Sequence, residues 1–342
     1  MFTYTKTTWL FNLNIKRGIK MRIEKIIILT LLLAIAVTGC AKNDSAIRVL
    51  LDWTPNTNHT GLFVALEKGW FEQAGLNVTI TQPPEDGALI LLASGKAEFA
   101  ISFQESMGPA IAKERDALPV KAIAGIISHN TSGIMSLKES GIQRPSDLCG
   151  RRFASWDTPL VTAVVRHIVE KDNGDFALVN VIPNFATDAF SALKTDVDAI
   201  WIYYAWDGIA AEVSRIEIDY IDFGTFDSRL DFYTPVLVTN SIWAEANSQT
   251  VKTFLAAVSR GYYFAIENPE EAAEILLQYA PELDRRLVAR SQEFLAEHYK
   301  KDAVRWGEID PQRWGDFYRW MFEHGLLEKD IGSGGFTNEY LP

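Results

Sequence analysis

Short apolar runs of three to eight residues recur from residue 47 to residue 239, and the stretches between them space their apolar positions as helices do. Runs at 47–51, 78–81, 99–102 and 120–127 read as strands, with helices at 62–68, 88–93 and 107–114 between them. Such alternation marks βαβ units, whose crossover helices require a largely parallel sheet. A second series begins near Gly133, with strands at 134–137, 152–154, 179–182, 199–203 and 220–223 and helices at 161–171 and 189–194 among them. The run 234–239 is one more strand, and everything after it is helical, at 251–266, 269–278, 284–298 and 311–324. Pro269 and Pro311 fall in first turns, where the missing N–H would have had no partner anyway. A helical tail that follows both series must pack on one of them. The expected class is therefore α/β with two lobes and two doubly wound sheets. Residues 46–133 and 236–342 form the first lobe, residues 134–235 the second, and the crossovers lie near 131–135 and 233–238. Ligands of such sheets sit beyond the carboxyl ends of the strands, which here means an interlobe cleft. At 342 residues the chain is long enough for two cores.

Charge narrows the partners. Residues 1–39 hold six of the 33 Lys and Arg and one of the 44 Asp and Glu, so residues 40–342 carry a net charge of −16. Such a surface repels phosphate backbones, and nucleic acid is not an expected partner. No His-Glu-x-x-His, paired Cys-x-x-Cys or Gly-x-Ser-x-Gly occurs. Gly95-Lys96 is not a phosphate-binding loop, because Ile90 stands where its first glycine belongs and Ala97 where a hydroxyl belongs. Neither metal nor organic cofactor is expected, and the chain reads as a non-enzyme.

The N-terminus reads as an address. From Met21, the expected true start, Arg22 and Lys25 precede thirteen mostly apolar residues ending at Thr38, then Gly39 and Cys40. The run spans about 20 Å as a helix, short of the roughly 30 Å hydrocarbon core. Val37-Thr38-Gly39-Cys40 resembles the bacterial lipobox, which implies a signal peptide over 1–39, lipidation of Cys40, a tether over 40–46 and an extracytoplasmic, membrane-anchored protein at the cell surface or in the periplasm. Two acyl chains suffice for stable anchoring. Cys149 then has no partner within the chain and reads as a partly buried thiol.

Specific motifs follow the first strand. Leu51-Asp52-Trp53-Thr54-Pro55-Asn56, Asn58-His59-Thr60-Gly61, Glu67-Lys68-Gly69-Trp70-Phe71 and Ala74-Gly75-Leu76 resemble the opening of the thiamine-pyrimidine-precursor-binding proteins of ABC importers. The likeness continues through Ser94-Gly95-Lys96-Ala97-Glu98-Phe99, Lys194-Thr195-Asp196-Val197-Asp198-Ala199 and Asn268-Pro269-Glu270-Glu271-Ala272-Ala273 to Phe336-Thr337-Asn338-Glu339-Tyr340-Leu341. The resemblance implies a type II periplasmic-binding-protein fold, ABC permease subunits as partners, and a monomer that captures a small aromatic heterocycle. The ligand it implies is a hydroxymethylpyrimidine or formylaminopyrimidine. The wider group includes riboflavin-binding and alkanesulfonate-binding lipoproteins, which are the alternatives. It also includes fungal enzymes of pyrimidine synthesis that use a histidine, a pyridoxal-phosphate lysine and a cysteine-rich run, and this chain has only two cysteines.

The candidate ligand-binding residues cluster where strands end. Asp52, Trp53, Asn56 and His59 follow the first strand: a flat indole offers a stacking face, and a carboxylate accepts from an exocyclic amine. The competing reading is a core aromatic with a capping aspartate. Gln104 and Glu105 open a helix after the third strand, where free N–H groups point to the cleft or a polar side chain simply caps. Asn130 stands near the first crossover. In the second lobe, Trp156 and Asp157 precede a helix, and Tyr204, Trp206 and Asp207 end an aromatic segment. Strand alternation puts Trp201 and Tyr203 on one sheet face. Tyr233, before the second crossover, is expected to serve both hinge and ligand. The mechanism these residues suggest is hinge closure around a stacked ring.

Overall fold

A computed structural model describes residues 46–82, 87–156, 158–183 and 188–342. The expectations for the signal segment, for Cys40 and for Asp157 concern residues outside those described.

Two five-stranded sheets organise the chain. The first contains β1 (Ile47–Leu50), β2 (Val78–Thr81), β3 (Phe99–Ser102), β4 (Val120–Gly125) and, much later, β10 (Val236–Asn240), in the order β2-β1-β3-β10-β4. The second contains β5 (Ser132–Leu137), β6 (Arg152–Ser155), β7 (Asn180–Pro183), β8 (Ala199–Tyr203) and β9 (Ile218–Asp222), in the order β7-β6-β8-β5-β9. Both sheets are parallel through three strands, and each takes one antiparallel strand, β10 between β3 and β4 and β5 between β8 and β9. These two strands are the first that the chain forms after each passage between sheets. Apolar periodicity carries no direction, so their reversal was not legible in the sequence.

Composition follows position within each sheet. Phe99-Ala100-Ile101 and Val236-Leu237-Val238 lie in central strands buried throughout, as continuous apolar runs should. The edge strands β2, β7 and β9 are partly exposed, whereas β4 is buried although it too ends a sheet, and Pro183 ends β7, where a missing donor breaks no ladder. The same clamp recurs in both sheets. Arg48 of β1 pairs with Glu98 just before β3 at 2.9 Å, and Arg152 of β6 pairs with Asp198 just before β8 at 2.9 Å. Both lie at the ends of the strands away from the carboxyl-terminal loops, and with their arginines open to solvent they contribute little to stability.

The tail helices brace the first sheet and both passages. The Ser248–Glu267 helix lies against the Thr60–Glu67 helix so closely that a Cβ on Gly261 would sit 1.9 Å from the Gly61 carbonyl oxygen. Glycine at 261 is therefore a condition of that contact. On the other flank the Pro311–Glu323 helix buries Trp314, Phe317, Tyr318 and Trp320, with Phe317 stacked on Phe232 of the return passage at 4.2 Å. Burying side chains of this size contributes roughly 1.5–3 kcal/mol each, which fixes the passages against the tail.

Candidate functional site

The cleft is built from four loops at carboxyl strand ends: 51–59 after β1, 103–105 after β3, Trp156 after β6, and 204–208 after β8. They enclose a cavity of about 440 Å³, within the range typical of small-molecule sites. Its walls include Asp52, Trp53 and Asn56 from the first sheet's side, and Trp156, Trp201, Tyr203, Trp206 and Asp207 from the second's. Among the described residues lining it there is neither Lys nor Arg.

The first loop is shaped by its own polar groups. Asn56 caps the turn Thr57–His59, its side chain accepting from the Asn58 amide at 2.9 Å. His59 is fully buried, and its Nδ1 accepts from the Asn56 amide at 3.2 Å. The ring proton therefore sits on Nε2, which donates to Asp52 Oδ1 at 2.5 Å. His59 thus orients the carboxylate rather than meeting a ligand, and the second oxygen of Asp52 stays available at the cavity wall. Trp53 beside it is 49% exposed, an unusual amount for an indole that lines a cavity.

The opposite loop owes its form to a π-helical turn, Tyr204–Gly208, which leads into the Ile209–Ser214 helix. Such turns re-aim side chains, and here Trp206 and Asp207 face the cavity. Tyr204 is turned away: its hydroxyl donates to Glu212 at 2.8 Å and its ring packs on Tyr220 and Phe294. The two loops are tied through the tail. Ser291 Oγ lies 2.6 Å from Thr57 Oγ1 and donates to the Ala205 carbonyl at 2.5 Å.

Three other expected contacts also lie off the cavity. Gln104 is buried, donating to the Trp314 carbonyl at 2.9 Å and accepting from the Tyr233 amide at 2.8 Å, so it braces the return passage. Tyr233 is buried beneath Arg313, and its hydroxyl accepts from the Asp310 amide. Asn130 stitches the two passages, donating to the Leu230 carbonyl and accepting from Ser132. These side chains are saturated by backbone partners, which is why they face inward. The passages also give the cavity Thr131, Thr234 and Pro235, of which sequence reading did not single out the last two. A threonine before a proline where a strand was expected to begin was the available signal.

Burial sets the electrostatics. It pushes the Asp207 carboxyl up to about 6 and the Glu105 carboxyl, farther along the cleft, up to about 8. The Tyr203 phenol is held well above its usual value by burial, and then by the neighbouring Glu105 carboxyl. The Thr234 hydroxyl stands beside the Glu105 carboxyl and the Tyr203 phenol, while the buried Trp201 Nε1 lacks a hydrogen-bond partner within the protein. The arrangement offers aromatic faces, carboxyl groups from both sides and an orphaned indole donor.

Comparison with known proteins gives this geometry a context. The family model described as NMT1/THI5 like matches residues 56–272. The formylaminopyrimidine-binding protein of Halalkalibacterium halodurans is 28% identical over 91% of this chain and 96% of its own. The 4-amino-5-hydroxymethyl-2-methylpyrimidine phosphate synthase of Legionella pneumophila is 24% identical over 87% of this chain and 93% of its own. Among solved structures, the alkanesulfonate-binding protein of Xanthomonas axonopodis pv. citri superposes with a TM-score of 0.66 at 14% identity, covering 86% of this chain and 98% of that one. The fold is that of the periplasmic binding proteins.

Proposed function

The chain belongs to the NMT1/THI5-like family, and on that premise we propose that it is the extracytoplasmic substrate-binding protein of an ABC importer, capturing an aminopyrimidine of the thiamine-precursor class. The observation that carries this reading is the cavity wall, where indoles from both sides meet Asp52 and Asp207 with no cation among the described lining residues. A flat ring bearing an exocyclic amine fits such a wall, because the rings stack on it and the amine donates to carboxylates. A sulfonate does not fit, since it would face carboxyl groups without a counter-charge. Two stacks contribute about 0.5–1.5 kcal/mol each and two charge-assisted bonds about 1.5–3 each; with buried area added, affinity reaches about micromolar.

Closure of the lobes sandwiches the ring between Trp53 and Trp206, and the closed form is what a permease meets. Lipid on Cys40 keeps the protein at the membrane. Capture without conversion is supported by the binding-protein relative, which matches over 96% of its length at higher identity than the synthase.

Fluorescence titration tests the reading. An aminopyrimidine should quench the intrinsic emission, Trp206→Ala should weaken binding by about 1–3 kcal/mol, and Asp52→Asn should weaken the aminopyrimidine more than riboflavin, whose uracil-like edge also offers acceptors. Turnover of the pyrimidine, or equal binding by all three proteins while folded, would refute it.

A further inference from the structure

Ser291 lies midway along the Arg285–His298 helix and has no exposed surface, with Val288 and Leu295 buried a turn to either side of it. A hydroxyl is costly among apolar neighbours unless it is matched. Within a helix the usual match is the carbonyl four residues earlier. Here the hydroxyl reaches outward, donating to the Ala205 carbonyl at 2.5 Å and standing 2.6 Å from Thr57 Oγ1. A hydroxyl has one proton to give, so the bond to Ala205 decides the other one: Thr57 donates and Ser291 accepts. The chain from Thr57 through Ser291 to Ala205 therefore joins the loop after β1 in the first sheet to the turn after β8 in the second.

The same helix holds each end a second time. Tyr299, at its carboxyl end, donates to the Thr57 carbonyl at 2.5 Å. Arg290 pairs with Glu212 at 3.3 Å, and Phe294 packs on Tyr204. The ion pair is open to solvent and contributes little. The Ser291 hydroxyl, in contrast, is sealed and touches both loops at once.

We propose that Ser291 is a positioning residue for ligand capture: its hydroxyl clasps the loop bearing Asp52 and Trp53 to the turn bearing Trp206 and Asp207, and so sets how long a ligand stays bound. The inference rests on the reading of the cleft as an aminopyrimidine site and adds a determinant that does not line the cavity. Because an arriving ligand does not meet the clasp, its loss acts on release rather than on encounter.

The test is stopped-flow tryptophan fluorescence of the intact chain with 4-amino-5-hydroxymethyl-2-methylpyrimidine, using wild type, Ser291→Ala and Ser291→Cys. Ser291→Ala should release the pyrimidine about five- to tenfold faster, the scale of one buried hydrogen bond, with association changed by less than about twofold. Ser291→Cys keeps a similar size and a weak donor, so it should fall between, and it carries the test if the alanine variant does not fold. Hydrogen exchange of the ligand-free chain is the second arm: segments 51–59 and 204–208 should both exchange faster in the variants, while the Pro311–Glu323 helix is unchanged. Folded variants that release the pyrimidine at the wild-type rate overturn the proposal, as does faster exchange in only one of the two segments or in neither. If wild type binds no aminopyrimidine, the functional reading falls, and hydrogen exchange alone decides whether the clasp exists.

Discussion

Replacing Glu105 with glutamine removes a titrating proton from inside the cleft while keeping the side chain's shape. Burial raises the carboxyl from about 4.5 to about 8. Between those values the folded chain holds a proton that the unfolded chain has released, so stability falls as pH rises, by about 1.4 kcal/mol per pH unit. The benefit of the neutral acid is complete below the ordinary glutamate range and lost once pH passes about 8, after which the curve is flat again. Over the whole window the loss is roughly 3–5 kcal/mol. Asp207, pushed up to about 6 by burial, titrates in the same direction within this window. The informative quantity is therefore the difference between variant and wild type, in which Asp207 cancels. Urea unfolding of ligand-free protein at pH 5, 6.5 and 8 should show Glu105→Gln gaining on wild type at each step. Parallel profiles would mean that the Glu105 carboxyl is hydrated in the folded chain rather than buried.

Other consequences are equally concrete. His59→Ala removes both the partner of Asp52 and the acceptor for the Asn56 amide, so it should cost about 1–3 kcal/mol of stability and weaken ligand binding although His59 does not line the cavity; urea midpoints and calorimetry read the two effects. Gly261→Ala drives a methyl group into the Gly61 carbonyl and should destabilise by about 1–3 kcal/mol or prevent folding, measured by thermal unfolding. Cys40→Ser should abolish diacylglyceryl labelling and release the protein from the membrane fraction; unchanged labelling counts against the anchor.

Periodicity was a reliable guide to the elements and a partial one to the site. The runs at 78–81, 99–102 and 199–203 correspond residue for residue to β2, β3 and β8: β3 and β8 are buried on both faces and written in contiguous apolar residues, while the half-exposed edge strand β2 alternates Val and Ile with Thr. The helix expected at 107–114 begins three residues earlier, at Gln104, since Gln104 is held by the tail and the return passage, partners that no local window contains. Alternation along β8 reads Trp201 and Tyr203 as sharing a face, and both line the cavity, as do Ile200 and Ile202. Tyr204 was not legible, because the π-helical turn after β8 rotates it out toward Glu212. The role of His59 was equally hidden: the residue type suggested contact, and only the hydrogen bonds to Asn56 and Asp52 reveal an orienting group. Thr234 and Thr131 enter the cavity through the passages between sheets, whose course depends on tertiary packing.

Whether this cleft captures an aminopyrimidine can be read from native mass spectrometry of the chain offered formylaminopyrimidine, riboflavin and an alkanesulfonate in equimolar competition. The expected spectrum holds a single adduct of one pyrimidine per chain, diminished in Trp206→Ala. A flavin or sulfonate adduct in its place, or no adduct from a folded protein, would contradict it.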